Sequence, residues 1–223
     1  MKILFLGTGA ADYSERHRGT EGYRRNSSAL VDGCILIDPG PCVPDAIVSM
    51  GVDATKIRYI INTHPHKDHY NEKTVEFLQN AGAELIEFCD RESKTLDHYT
   101  VTALSGNHSI AVQHFIIEDG NSKLFYGLDS AWLLYHEIQE IKARGIDLAV
   151  LDGTIGFVKG DYRVFEHCNM EMILTMKQSL SEHIKRICIS HMARTLHTDH
   201  GTLAREMSKY GIEVAFDGWM TEF

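Results

Sequence analysis

Residues 64–69 read His64-Pro65-His66-Lys67-Asp68-His69, four potential metal ligands within six positions. Neutral imidazole and carboxylate are donors that zinc, manganese and iron accept, and a cation gives a physical reason to gather side chains that would otherwise repel once protonated. Pro65 biases His64 away from helix. His64 and His66 are therefore expected on one side of an extended segment, with Asp68 and His69 in the turn that opens the next helix. A lone histidine is ordinarily part of a solvated loop or a satisfied core, whereas an HxHxDH run at a strand end points to metal. Such a run cannot close a site by itself. Three further candidates follow other apolar runs: His108 in Gly106-Asn107-His108, Asp129 in Tyr126-Gly127-Leu128-Asp129 and His191 in Ile189-Ser190-His191. Ligands delivered from separate strand ends onto one sheet edge are held by rigid elements, as a catalytic site requires.

The elements that must position them are visible as short runs rich in Ile, Val, Leu and Phe. Residues 2–6, 28–31, 34–37, 57–62, 84–88, 100–104, 111–117, 123–126, 147–151, 184–189 and 213–216 are predicted as strands. Asp32-Gly33 signals a tight hairpin and 118–122 a looser one. Helical patterns cover 44–50, 72–81, 131–143, 170–183 and 200–210, with Asn169 and Asp199 as N-caps and Gly145 and Gly211 as stops. Hairpins first, then strands alternating with helices, point to an α+β protein of two mixed sheets covered by helices, a four-layer αββα sandwich. Periodicity alone does not separate that from a three-layer fold.

Composition narrows the function classes. The chain has 223 residues, 43% of them hydrophobic, with no low-complexity stretch, which suits a single domain over 1–223 and excludes disorder as the main state. No apolar run approaches the roughly 20 residues that span a bilayer, and the opening residues lack the pattern of a secretory signal, so a cytoplasmic location is expected, with no membrane partner. The five cysteines are scattered without a CxxC pair, which indicates neither a disulfide framework nor a sulfur-ligated zinc site, and they are expected to be reduced and mostly core. A formal net charge of -9 argues against long nucleic acid as a partner, while a local basic pocket for a small phosphate stays open. A homo-oligomer is neither indicated nor excluded.

From Leu6-Gly7-Thr8-Gly9 and Leu36-Ile37-Asp38-Pro39-Gly40 through the HxHxDH run to His191, nearly the whole chain resembles the metallo-beta-lactamase superfamily. That resemblance implies an αββα metallo-beta-lactamase fold and a site for two divalent metal ions, zinc or manganese ahead of iron. It implies one ion on His64, His66 and His108, the other on Asp68, His69 and His191, and Asp129 bridging. Two ions about 3.5 to 4 Å apart can share a water and lower its pKa toward neutrality. His66 stands where flavodiiron oxygen reductases have Glu, which points to hydrolysis. Segments 24–30, 36–41 and 213–219 are similar to the phosphodiesterase branch, that of phosphoribosyl cyclic phosphate phosphodiesterases and, more distantly, of transfer RNA 3′-end processing nucleases. The cysteine-rich zinc loop of the former is missing, since residues 11–22 contain no Cys. Asp152 and His167 resemble the acid dyad of that branch. Breaking a phosphodiester needs a proton for the leaving oxygen, and a histidine oriented by a carboxylate can supply it.

The sequence therefore favours a metal-dependent hydrolase, most readily a phosphodiesterase attacking a small or cyclic phosphate ester with a metal-bridging hydroxide, with Asp68, Asp152 and His167 as catalytic residues beside the seven ligands. A thioester, lactone or lactam hydrolase using the same ligands is an alternative, as is a metal-binding sensor module without turnover. Asp38 is expected to accept the second N–H of a ligand imidazole. Arg24, Arg25, Lys67, Arg163 and Arg194 are candidates to grip a second phosphate, and His197 and His200 to line the pocket. His17, His98, His114, His136 and His183 have no partner pattern and read as surface or satisfied core residues.

Overall fold

The computed structural model describes residues 1–223, with thirteen strands and five α-helices. The chain divides into two compact units, Met1–Glu87 with Ala215–Phe223, and Phe88–Val214. Each unit carries one complete sheet.

The first unit holds β1 (Lys2–Gly7), β2 (Ser28–Val31), β3 (Ile35–Ile37), β4 (Tyr59–Ile61), β5 (Glu84–Leu85) and the last strand, β13 (Met220–Glu222), with helices α1 (Val43–Met50) and α2 (Glu72–Asn80). The sheet order is β13-β1-β2-β3-β4-β5. The pairs up to β2–β3 are antiparallel and β3–β4 and β4–β5 are parallel, because a short turn over residues 32–34 joins β2 to β3 whereas α1 and α2 form the crossovers that parallel strands need. Asp32 and Gly33 both have positive φ (46° and 72°), as the tight hairpin turn requires. Leu6, Leu30, Leu36 and Ile60 pack with Val43, Ile47, Val75 and Leu78 in one apolar cluster, while the alternate residues Phe5, Ala29, Ile37 and Ile61 are buried as well. Burial on both faces explains why these strands read as continuous apolar runs.

The second unit contains β6 (Ser93–Leu96), β7 (Tyr99–Ser105), β8 (Gln113–Glu118), β9 (Lys123–Gly127), β10 (Ile146–Asp152), β11 (Ile184–Ser190) and β12 (Ile212–Val214), with α3 (Tyr135–Arg144), α4 (Met170–Ser179) and α5 (His200–Ser208). Its sheet runs β12-β11-β10-β9-β8-β7-β6, parallel from β12 to β9 and antiparallel from there to β6. Asn169 and Asp199 cap α4 and α5, accepting from Met172 N and Thr202 N at 2.9 Å each.

Several expectations need correction. β6 and β13 carry the short, mostly polar sequences SKTL and MTE, which give no strand signal; edge pairing with β7 and β1 makes them strands. β5 is only two residues long. α3 begins at Tyr135 and not at 131, because Ala131 N is bonded to Asn107 O and the backbone N–H of Leu134 is capped by the Glu137 carboxylate at 2.7 Å. Of the cysteines only Cys168 and Cys188 are buried, and Cys89 is exposed. No helix is long and apolar enough to cross a membrane.

Gly40 follows β3, and a Cβ built there would lie 2.2 Å from the Asp68 carbonyl oxygen, so the 38–40 turn and the turn bearing Asp68 touch backbone to backbone. Gly40→Ala must push them apart and is expected to destabilise the protein by about 1–3 kcal/mol in urea unfolding; wild-type stability would show that the approach is not tight.

Candidate metal centre

In the first unit, β4 delivers Thr63 and the 64–69 turn. The buried carboxylate of Asp38 organises it. Its Oδ1 accepts from Thr63 N and Thr63 Oγ1, both at 2.8 Å, and its Oδ2 accepts from His69 Nδ1 at 2.8 Å. Since the Thr63 hydroxyl gives its proton to Asp38, it accepts from His64 Nδ1 at 2.9 Å. Both rings therefore carry the proton on Nδ1 and keep an Nε2 lone pair. His64 Nε2 lies 2.8 Å from His66 Nδ1, and His69 Nε2 lies 3.3 Å from Asp68 Oδ2. His64, His69 and Asp38 are buried.

In the second unit Asp129 follows β9, Asp152 ends β10, His191 follows β11 and His108 follows β7. Donor atoms of Asp129, Asp152, His167 and His191 all lie within 4.8 Å of one another. His191 Nδ1 donates to Thr154 Oγ1 at 2.8 Å, and that hydroxyl donates to His191 O at 2.9 Å, leaving His191 Nε2 at 3.2 Å from Asp129 Oδ1. His108 Nδ1 donates to Glu166 O at 3.2 Å. His64 and His69 in the first unit and His108 and His191 in the second thus have Nδ1 engaged as a donor, which fixes the tautomer whose Nε2 can bind a transition metal.

His167 differs. Its Nδ1 donates to Asp152 Oδ2 at 2.8 Å and lies 3.4 Å from Asp129 Oδ1, and its ring stacks on His191 at 5.5 Å between centroids. Burial opposes its charge, but the Asp152 carboxylate outweighs burial and raises its pKa to about 9. Asp152 is itself wholly buried; burial works against its ionisation, yet the His167 charge and hydrogen bond hold it below the usual carboxylate range. Its Oδ1 also accepts from Thr154 N at 2.9 Å. A protonated imidazole fixed by an ionised carboxylate is a proton donor at neutral pH.

Thr63 and Thr154, which orient the His64 and His191 rings, were not among the sequence candidates; the only signal was their place next to His64 and two residues after Asp152. Three of the arginines proposed to grip phosphate are engaged otherwise. Arg24 is buried and donates to Thr8 Oγ1 at 2.6 Å and Ala215 O at 2.9 Å, Arg25 pairs with Asp45 at 3.1 Å, and Arg163 pairs with Asp161 at 2.8 Å. The His197 ring packs over Gly156, with Nε2 bonded to Thr154 O at 3.0 Å, and His200 opens α5.

Residues 22–71 match the family model of the metallo-beta-lactamase superfamily. No curated protein matches the sequence. Among solved structures, the metallo-beta-lactamase fold protein YhfI from Bacillus subtilis superposes with a TM-score of 0.78 at 17% identity, over 100% of this chain and 99% of that one. The chain has the metallo-beta-lactamase fold. A diphosphatase from the PhnP family is similar with a TM-score of 0.76 at 19% identity, covering 100% and 97% of the two chains. The Zn(2+)-bound PqqB from Methylobacterium extorquens gives 0.77 at 15% identity, covering 100% of each chain.

In this metallo-beta-lactamase fold protein, His167 without metal is expected to titrate near 9 in histidine NMR. Asp152→Asn removes the compensating charge and leaves the burial, so the midpoint falls toward the ordinary histidine value of about 6.5. A folded-state pKa raised in this way stabilises the metal-free protein below about pH 6.5, and the stabilisation is lost as pH rises through 9. An unchanged midpoint in Asp152→Asn would remove Asp152 as the cause.

Proposed function

We propose that this protein is a dinuclear metal-dependent phosphodiesterase acting on a small or cyclic phosphate ester. The ligand assignment is the one that the resemblance to the metallo-beta-lactamase superfamily implies: His64, His66 and His108 for one ion, Asp68, His69 and His191 for the other, and Asp129 shared. The donor chemistry fits. Imidazoles with Nδ1 engaged by Asp38, Thr63, Thr154 or a carbonyl present Nε2 lone pairs, and carboxylate oxygens accompany them, a set suited to zinc, manganese and iron alike. Bound divalent ions would supply Lewis acidity toward phosphoryl oxygens and ionise water near neutral pH.

The observation that carries the choice of phosphodiester is the Asp152–His167 pair. Asp152 fixes the ring through Nδ1, so the proton available to a leaving group is the one on Nε2. An alkoxide leaving from phosphorus needs such a donor, whereas a thiolate leaving from a thioester needs it far less. The likeness to a diphosphatase supports phosphate chemistry in the same direction. Asp68, whose Oδ2 lies 3.3 Å from His69 Nε2, is read as a ligand that also accepts a proton from bound water.

His167→Ala is expected to keep its metal content by elemental analysis and to lose about 10²–10⁴-fold in turnover of alkyl phosphodiesters. The loss should be smaller for p-nitrophenyl esters, whose leaving group needs no protonation. The same panel should include cyclic phosphodiesters, thioesters and lactones on metal-loaded protein. Equal activity of wild type and His167→Ala on alkyl esters would remove His167 from the mechanism, turnover of thioesters or lactones alone would favour the second hydrolase reading, and tight metal binding with no turnover would favour a sensor.

A further inference from the structure

The mechanism leaves one buried ionisable pair unused. His114 on β8 and Glu137 on α3 both have wholly buried side chains, and His114 Nδ1 lies 2.5 Å from Glu137 Oε1. The other ring nitrogen, Nε2, lies 3.1 Å from Leu128 O. Both neighbours are acceptors, so the ring donates from both nitrogens, and Glu137 neutralises the resulting charge. Glu137 in turn accepts from Leu134 N through Oε2 at 2.7 Å. A continuous chain of hydrogen bonds therefore runs from the first turn of α3 through Glu137 and His114 to the peptide that joins Leu128 to Asp129.

The ring also fills the space beneath two ligand-bearing loops. A Cβ at Gly106, two residues before His108, would lie 2.5 Å from His114 Cε1, and one at Gly127, two residues before Asp129, would lie 3.3 Å from His114 Nδ1. Asp129 has φ +52°, a left-handed conformation that a non-glycine residue keeps only when its surroundings impose it. A packed apolar pair would stabilise a core as well as a buried ion pair does, so stability alone gives little reason for this one.

We propose that the His114–Glu137 pair is a positioning device for Asp129: by holding the Leu128 carbonyl, it fixes the left-handed turn that aims the Asp129 carboxylate at metal. The inference rests on the reading of Asp129 as a ligand. The ring touches neither substrate nor metal and acts through the peptide ahead of Asp129.

The test is Zn²⁺ affinity of the full chain, measured by competition with a chromogenic chelator well below the unfolding temperature, with folding checked by circular dichroism. Asp129→Ala is the reference and is expected to weaken Zn²⁺ binding. The double variant His114→Leu with Glu137→Gln avoids an unpaired buried carboxylate and keeps the cap on Leu134, but loses the bond to Leu128 O. It is expected to fold and to bind Zn²⁺ about 10–100-fold more weakly, the usual effect of losing a group that orients a ligand. Glu137→Gln alone lets the amide donate to His114 Nδ1 while Nε2–H still reaches Leu128 O, so its affinity should stay close to wild type. If the double variant is too unstable, His114→Phe with Glu137→Gln, which keeps more of the ring volume and likewise offers no donor to Leu128 O, replaces it under the same criteria. Wild-type affinity in the folded double variant overturns the proposal and leaves the pair a stability element. A loss in Glu137→Gln as large as in the double variant also overturns it, because the bond to Leu128 survives there. Wild-type affinity in Asp129→Ala overturns the ligand reading itself, a failure distinct from the other two.

Discussion

Asp38 is a wholly buried carboxylate that would be costly to enclose without partners, and three hydrogen bonds satisfy it: two from Thr63 and one from His69. The geometry of His64 and His69 follows from those bonds. With Thr63 Oγ1 committed as a donor to Asp38, the same hydroxyl can only accept from His64, and with His69 Nδ1 committed, only Nε2 remains. One carboxylate thereby sets the tautomers of two imidazoles and fixes where their lone pairs stand. In the second unit the Thr154 hydroxyl plays the equivalent part for His191 while the Thr154 N–H caps Asp152. Hydroxyls, each acting as donor and acceptor at once, link the carboxylates to the rings.

Backbone strain marks the same places. Six non-glycine residues have positive φ, and three of them are Asp38, Asp129 and His191 (61°, 52° and 61°), each at or just beyond the end of a strand. The left-handed conformation turns the chain sharply as it leaves the sheet, so the side chain is presented at the sheet's edge. Such conformations persist where surrounding bonds over-determine them, and each of the three has such a neighbour: Thr63 and His69 at Asp38, Thr154 at His191, and the His114-bound Leu128 carbonyl before Asp129.

The distribution of charge separates chemistry from scaffolding. Asp152 and His167 face each other, and their mutual attraction and hydrogen bond outweigh the cost of burial and favour both charged forms together, which gives a proton donor at neutral pH. Arg24, by contrast, is buried among Thr8 and the Ala215 carbonyl, and Asp217 accepts from Thr8 Oγ1 and Arg25 N at 2.7 and 2.6 Å. That network joins the end of β1 to the segment before β13. Its cations serve the fold.

The amino-acid order alone determined the candidate donor types and their local spacing, the Asp32-Gly33 hairpin and the central strands, because turn chemistry and apolar runs are encoded by neighbours in sequence. It could not determine which nitrogen of each histidine carries the proton, since the groups that decide it lie 25 residues away for Thr63 and Asp38 and 37 for Thr154 and His191. Nor could it find the edge strands β6 and β13, whose polar residues become strands only through pairing. His114 shows the same limit. It has no partner pattern in sequence, and only the packing of β8 against α3 gives it Glu137, 23 residues on. Spacing supplies the reactive groups, and the tertiary structure settles their protonation and aim, because a hydrogen bond depends on distance and angle in space.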